Sequence, residues 1–408
     1  MFIDGTTANV PALARTILMT VDATGGVLTY ALSLASELAK AGTKIHFAML
    51  GPKPKPEQLA AIRGIPQAVL HEHAGALEWM DDPWADVARA SSFLRDLEQQ
   101  VRPDIVHLNG YCHGSAGFRA PIIIVAHDCM LSRADALGES ERLEGRAGLG
   151  DAPPEGEPVP CESQGLAKYT ESTKRGLAAA TAVIAVSQTM RVALERHYGP
   201  LPRIAVIPNG LAVEASSREK EELVVCAGRT WDRARNVETL VRVAAELPWP
   251  LEIAGDPAPR GVGDGVSFDG RDAVADHGWM SPSDLGVLLD RAAIFASPAR
   301  HDPFGMSALE AALRGCALVL GDIPSARELW GDAARFVRPD DERGLVEAIS
   351  ELASDEESRD RLAAEANLRA RLYTPARNAR VMSDLYETMI QARRIPLPYL
   401  RGPHTKTV

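Results

Sequence analysis

The stretch Pro298-Ala-Arg-His-Asp302-Pro-Phe-Gly-Met-Ser-Ala-Leu-Glu310 decides how this chain is interpreted. The apolar run that enters it, residues 292–296, predicts a buried strand. A helical pattern starts at Ser307 and ends at a glycine, and a second apolar strand follows. Asp302 is therefore expected in a loop and Glu310 in the first turns of a helix.

Four backbone amides cluster at the predicted start of this helix, those of Phe304, Gly305, Met306 and Ser307. Amides at a helix N-terminus favour an anion or sugar oxygens. Asp302 and Glu310 bracket them, and carboxylates accept hydrogen bonds from hydroxyls. Because a polyol and a phosphate would meet in one crevice, the stretch predicts a nucleotide-sugar site. An ordinary strand-loop-helix unit, with a glutamate favoured by the helix dipole, is the alternative.

Apolar runs alternate with helical patterns along nearly the whole chain, which predicts parallel α/β sheets. The first half has predicted strands at 16–21, 45–49, 105–108, 122–126, 182–186 and 204–207. The second half has them at 223–227, 251–254, 294–296, 317–320 and 335–337. Prominent helical patterns lie at 27–41, 84–101, 163–180, 356–373 and 375–393. The polar stretch 214–222 predicts a linker between two such domains.

Length, charge and cysteine content restrict the class of protein. With 408 residues the chain can form two complete α/β domains. The net charge of −11 argues against a nucleic-acid partner, which needs a basic face. Five scattered cysteines without a CxxC pair indicate reduced thiols, at positions 112, 129, 161, 226 and 316. No apolar run has membrane-spanning length and no signal segment opens the chain, so a cytoplasmic location is expected.

An acid, seven residues and a glutamate, with Pro-Phe-Gly directly after the first acid, resemble the E-x7-E motif of family 4 retaining glycosyltransferases of GT-B fold. Here the first acid is Asp302 rather than Glu. The resemblance implies that Asp302 and the following amides contact the donor sugar and phosphates, while Glu310 holds the ribose hydroxyls. It also implies two Rossmann-like doubly wound parallel-sheet domains that face each other across a cleft.

The implied division is an acceptor-side domain over 1–211, a nucleotide-sugar domain over 212–375, and a helix with a tail over 376–408. In the family this last helix crosses back to the first domain. Ligands of parallel sheets lie at the carboxyl ends of the strands, so the site is expected in the cleft between the domains.

The segment from Gly228 to Asn236 follows the first strand of the second half and carries several arginines. Cations there would stabilise the charge that a diphosphate gains as the glycosidic bond breaks. The segment resembles the Gly-Arg…Lys element of the family. Arg229 matches it, and Arg235 stands where Lys is usual, which is not an equivalent residue. Arg233 remains an alternative to Arg235, and a solvated basic turn is the simpler interpretation.

Three further positions resemble family elements. Gly25 and Gly26 precede a predicted helix, where glycines let backbone approach a ligand; the resemblance places them against the donor phosphate and the acceptor. His127 ends a predicted strand and could contact a sugar hydroxyl or accept its proton, although a structural histidine is equally expected. Met280, in Gly278-Trp-Met280, resembles the element that holds the nucleobase.

No metal or other cofactor is expected. The chain has no Asp-x-Asp pair, and His71-x-His73 stands in a polar region without further ligands. Residues 133–165 are rich in Glu, Gly and Pro and predict a flexible acidic loop or lid. The basic tail 393–406 is interpreted as solvated.

These features predict a metal-independent retaining glycosyltransferase. The donor would be a UDP-, GDP- or ADP-linked sugar, and the acceptor a hydroxyl that enters beside Gly25, Gly26 and His127. Retention by front-face attack, with the departing phosphate taking the acceptor proton, requires no enzymatic nucleophile. A non-catalytic sugar-nucleotide binding protein and a GT-B epimerase or phosphorylase are the alternatives. The protein is expected to be a monomer or homodimer.

Overall fold

A computed structural model describes residues 16–139, 161–214, 218–255 and 273–394. Its first sheet has seven parallel strands, ordered β3-β2-β1-β4-β5-β6-β7. They are β1 (Thr16–Asp22), β2 (Lys44–Gly51), β3 (Val69–Ala74), β4 (Ile105–Leu108), β5 (Ile122–Ala126), β6 (Ala182–Ala185) and β7 (Ile204–Val206). The central strands are buried on both faces, as near-continuous apolar runs require.

The second sheet has six parallel strands, ordered β10-β9-β8-β11-β12-β13. They are β8 (Glu221–Ala227), β9 (Leu251–Ala254), β10 (Val274–Asp276), β11 (Ala292–Ser297), β12 (Ala317–Gly321) and β13 (Arg335–Val337). In both sheets the strand order reverses beside the first strand, between β1 and β4 and between β8 and β11. Ligands of open α/β sheets bind outside the strand ends at such a reversal.

Helices connect the strands of both sheets. In the first half they are α1 (Gly26–Lys40), α2 (Pro56–Arg63), α3 (Trp84–Val101), α4 (Met130–Ala136), α5 (Cys161–Ala179) and α6 (Gln188–Tyr198). In the second half they are α7 (Val237–Val243), α8 (Pro282–Arg291), α9 (Met306–Leu313), α10 (Pro324–Trp330), α11 (Glu342–Ser354), α12 (Glu356–Ala370) and α13 (Pro375–Arg394). None of these described helices is both long and apolar enough to cross a membrane.

The expected fold class is confirmed, and the differences concern edges and loops. Strands β3 and β10 were not predicted, because both lie at sheet edges and carry polar residues. The supposed polar region around His71 and His73 is β3 itself. Glu221 and Glu222, assigned to the linker, begin β8. In the predicted loop 133–165, residues 133–136 end α4 and 161–165 begin α5, while 140–160 lie outside the described residues, as does most of the tail.

Helix α13 returns from the second half and packs on α1. Its Tyr386 is fully buried, and the hydroxyl lies 2.7 Å from Nδ1 of His107 on β4. The chain crosses between the halves a second time at Gly210, where a Cβ atom would collide with the carbonyl of Thr374. This close approach requires glycine. The thiols of Cys112, Cys129, Cys226 and Cys316 are free and buried; the Cys161 side chain lies outside the described residues.

Candidate active site

A cleft of about 840 Å³ separates the carboxyl ends of the two sheets. Both halves line it, and the predicted site residues are among its walls. From the first half come Gly25, Gly26 and His127, and from the second half Arg229, Arg235, Met280, Asp302, Phe304, Gly305, Met306, Ser307 and Glu310. The structure therefore brings these predicted site residues together in one cleft, whereas the alternative Arg233 is not among its walls.

The Asp302 loop is held from three directions. The Asp302 carboxylate pairs with Arg235 through one oxygen, and its Oδ1 accepts a hydrogen bond from the Gly305 amide at 2.8 Å. The Asp302 carbonyl accepts from the Ser325 hydroxyl at 2.6 Å. Gly305 has φ +74°, a left-handed conformation that glycine adopts without strain. One of the four predicted ligand amides, that of Gly305, is thus already used within the loop.

Two sets of contacts join this loop and the neighbouring α10 to the first half of the chain. The Ser187 hydroxyl, which caps α6, donates to the carbonyl of Pro303 at 2.9 Å. The Glu328 carboxylate on α10 accepts from the backbone amides of Gln188 and Thr189 at 2.6 and 2.7 Å. A carboxylate at a helix N-terminus satisfies amides that have no partner within the helix. The position of the Asp302 loop is therefore coupled to the other side of the cleft.

Arg229 lies between carboxylates of both halves. Its guanidinium is 2.8 Å from Asp232 and 3.8 Å from Asp128. A Cβ atom on Gly25 would lie 3.7 Å from the Arg229 side chain, and one on Gly26 would lie 3.4 Å from Met306. The glycine pair thus gives the backbone of the first half a close approach to the cations and the α9 start of the second.

Asp128 connects the halves electrostatically. His301, which precedes Asp302 in the chain, has Nε2 at 2.8 Å from Asp128 Oδ1. Burial alone would raise the pKa of Asp128, but the hydrogen bond from His301 and the charges of Arg229 and Arg235 outweigh it and hold this pKa well below its usual range. The Asp128 carboxylate is therefore favoured in its ionised form and lies between His301 and Arg229.

The two candidate arginines differ in position. Arg233 is 73% exposed and pairs with Glu139 at 2.7 Å, outside the cleft. Arg235 is 23% exposed and points at Asp302. The residue in the place of the family's lysine, and not its neighbour, is the one that lies in the cleft.

His127 is suited to accept a hydrogen bond rather than a proton. Its Nε2 lies 2.9 Å from Oδ1 of Asn109, whose own amide nitrogen donates to the carbonyl of Thr20. An amide oxygen only accepts, so His127 Nε2 carries the hydrogen and Nδ1 keeps its lone pair. Burial and the charge of His107 lower the pKa of His127 to about 3, and Asp128 opposes this shift only weakly. The imidazole is neutral and too weakly basic to hold a proton near pH 7.

One part of the cleft is lined by α8, α9 and the loop before α8. Met280 is partly buried, and on the adjacent Trp279 the Lys55 ammonium of the first half lies 3.7 Å from the ring centre. Glu310 on α9 is largely but not fully buried, its pKa is raised by this burial, and Arg314 lies 3.3 Å away. In the part of the chain that the structure describes, no group of three or more His, Cys, Asp or Glu side chains could hold a metal ion.

Some contacts of these residues could not be predicted from the sequence. Asp128 and His301 are 173 positions apart, and nothing local predicts their contact. Asp290, a partner of Arg314, lies 24 positions before it on another helix, and nothing local predicts that contact either. Arg314 itself follows Glu310 by four residues, the spacing at which side chains meet on a helix, so this pair was detectable.

Two parallel α/β sheets that face each other across a cleft with these residues define a glycosyltransferase of GT-B fold. Family models match nearly the whole described chain: Glycosyltransferase Family 4 over residues 24–215 and Glycosyl transferases group 1 over residues 212–369. The chain belongs to the family 4 glycosyltransferases.

Similar proteins agree with this assignment. A D-inositol 3-phosphate glycosyltransferase of Corynebacterium glutamicum is 24% identical over 90% of this chain and 92% of its own length. Sucrose-phosphate synthase from Thermosynechococcus elongatus has a similar structure, with a TM-score of 0.72 and 18% identity over 93% of this chain and 100% of that one. Anabaena HepE in complex with UDP-glucose has a TM-score of 0.68 and 15% identity, over 91% and 99% of the two chains. At these identities the structures establish the fold alone.

Proposed function

We propose that this glycosyltransferase moves a sugar from a nucleotide-diphosphate sugar to an acceptor hydroxyl, with retention of configuration and without a metal ion or other cofactor. The observation that carries the proposal is the convergence of Arg229, Arg235, Asp302 and Glu310 in one cleft. Two cations suit a diphosphate, and two carboxylates suit the hydroxyls of a sugar and a ribose. The Anabaena relative that binds UDP-glucose supports this class of donor.

The arginines would stabilise the leaving group. As the glycosidic bond breaks, negative charge accumulates on the diphosphate, so cations fixed beside it stabilise the transition state more than the bound substrate. Asp128, Asp232 and Asp302 balance these cations in the structure. A diphosphate would take over the guanidinium groups from carboxylates that already hold them in place, so little reorganisation is needed.

The carboxylates of the site are better suited to positioning than to nucleophilic attack. Both oxygens of Asp302 are engaged, one by Arg235 and one by the Gly305 amide. Asp128 is held by His301 and faces Arg229. These contacts support front-face attack by the acceptor hydroxyl, whose proton would pass to the departing phosphate. The acceptor would enter beside Gly25 and Gly26, and His127 Nδ1 would accept a hydrogen bond from a sugar hydroxyl.

A two-stage experiment tests the proposal. Thermal unfolding is first measured with UDP, GDP, ADP and their sugar conjugates, each in EDTA and in excess magnesium. A ligand that binds the native state raises the melting temperature. We expect a selective rise with one base, unchanged by EDTA. Dependence on magnesium would contradict metal independence, and no rise with any nucleotide would contradict the donor assignment.

The second stage uses the selected donor with a panel of hydroxyl acceptors. The anomeric configuration of the product is read from its proton NMR coupling. We expect the configuration of the donor to be kept, whereas inversion would refute the front-face mechanism. Binding without transfer to any acceptor would favour the sugar-nucleotide binding protein over the enzyme.

A further inference from the structure

Arg314, directly after α9, forms a buried bridge between two carboxylates of the cleft. Its Nε lies 3.3 Å from Oε1 of Glu310, and its Nη1 lies 3.0 Å from Oδ1 of Asp290. The side chains of Arg314, Asp290 and Glu310 are only 12%, 11% and 17% exposed. All three line the cleft. The guanidinium is thus fixed on two sides, which a solvated surface arginine is not.

A glycine provides the space for this bridge. Gly286 lies within α8, where glycine is less favourable than alanine for the helix itself. A Cβ atom at this position would lie 2.5 Å from Nη2 of Arg314. Any larger residue would therefore displace the guanidinium. The packing of Arg314 against Gly286 therefore explains why a glycine occupies this position in the helix.

The two partners of this bridge affect the protonation of the Glu310 carboxyl. Burial raises the pKa of this carboxyl, Arg314 lowers it through charge and hydrogen bond, and Asp290 opposes Arg314. An ionised carboxylate has two oxygens that accept, whereas a protonated one must donate from one of them. Arg314 contacts Oε1 only, which leaves the other oxygen of Glu310 available to a ligand in the cleft.

We propose that Arg314 is a positioning residue that keeps the Glu310 carboxylate oriented to accept hydrogen bonds from the vicinal hydroxyls of the donor ribose, with Asp290 and Gly286 holding Arg314 in place. This inference rests on the proposed donor site, because it assigns the diol to Glu310. It adds three residues, Gly286, Asp290 and Arg314, which the nucleotide does not need to touch directly.

The test compares a nucleoside diphosphate with its 2′-deoxy analogue by isothermal titration calorimetry. The base is the one that stabilises the native protein in the thermal screen. For wild type we expect the ribonucleotide to bind about tenfold or more tightly than the analogue, the effect of a hydrogen bond to a charged group. Arg314→Met and Gly286→Ala should both lose most of this preference, and Arg314→Lys should lose part of it.

A pH series separates positioning from a general structural defect. Without Arg314 the pKa of Glu310 rises, so ribonucleotide affinity should begin to fall at a higher pH in Arg314→Met than in wild type as the solution is acidified. The affinity of the 2′-deoxy analogue should change little. Gly165→Ala is the matched control, since a Cβ atom there meets nothing within 4 Å. Thermal unfolding of each variant reports whether the fold is intact.

The outcomes are distinguishable. If wild type prefers the ribonucleotide and Arg314→Met keeps both the preference and the pH dependence, the positioning role is refuted while the donor site stands. If wild type binds both nucleotides equally, Glu310 does not hold the diol and the inference fails at its basis. If neither binds, the proposed donor site fails as well.

Discussion

Replacing Arg235 by alanine tests the assignment of the cations most directly, because the chain offers a matched control two residues away. Arg233 and Arg235 lie in the same turn and carry the same charge, but only Arg235 reaches the cleft. We expect Arg235→Ala to lower the turnover number strongly and Arg233→Ala to leave it within about twofold, since exposed ion pairs contribute little.

The magnitude follows from the charges around the site. Asp128, Asp232 and Asp302 surround Arg235, so its removal leaves three carboxylates facing the diphosphate with Arg229 alone. One charge pair at ~5 Å and an effective dielectric constant of ~20 amounts to about 3 kcal/mol. That is roughly 10²-fold in rate, and the loss of a single transition-state donor costs about 10²- to 10³-fold in other enzymes.

The assay is the initial rate of sugar transfer at saturating donor, or of donor hydrolysis if no acceptor is yet known. Equilibrium unfolding in urea shows whether the Asp302 loop has collapsed without its partner; the Gly305 amide should keep it in place. Equal losses in the two variants would refute the cation assignment. So would a loss below about fivefold in Arg235→Ala, because the electrostatic argument predicts far more.

Three further predictions concern binding, pH and the connection between the halves. Glu310→Ala should weaken nucleotide binding, measured by titration calorimetry, about tenfold or more and leave the melting temperature of the free protein unchanged. An unaltered affinity would remove Glu310 from the site. Burial raises the pKa of Asp22 to about 6 against the opposing effects of Thr24 and Arg229. Because the native state binds the carboxyl proton more tightly than the unfolded chain does, the free energy of unfolding should fall as the pH rises from about 4 to 6. Asp22→Asn should flatten that decline and stabilise the protein at pH 7 by up to about 3 kcal/mol in urea titrations, whereas an identical pH profile would contradict it. Gly210→Ala should destabilise the protein by about 1–3 kcal/mol through the collision with Thr374, and a neutral effect would mean that the chain crossing can relax.

The parts of the fold that could be predicted from sequence are those with a single dominant physical cause. Buried parallel strands must be apolar on both faces, so β4, β5 and β9 were located to the residue. Edge strands escape this requirement. The edge strands β3 and β10 contain polar residues and left no such pattern, whereas the edge strands β7 and β13 were still predicted.

The same distinction applies to the candidate site. Asp302 and Glu310 were predictable because strand ends and helix starts determine where such residues lie. The choice between Arg233 and Arg235 depended on side-chain directions within an irregular turn, which no periodicity describes. The contact of Asp128 with His301 depends on how two separate sheets face each other, and a local pattern carries no information about that.

The return of α13 to the first sheet has a consequence for how the protein is made. Tyr386 completes a buried contact with His107 on β4, yet the ribosome adds it long after the last strand of the first sheet. At about 5–20 residues per second, this delay is on the order of tens of seconds. The half of the chain that is synthesised first thus completes its packing last, and the apolar face of α1 that α13 covers stays exposed until then. During synthesis this surface is the one that chaperones should protect.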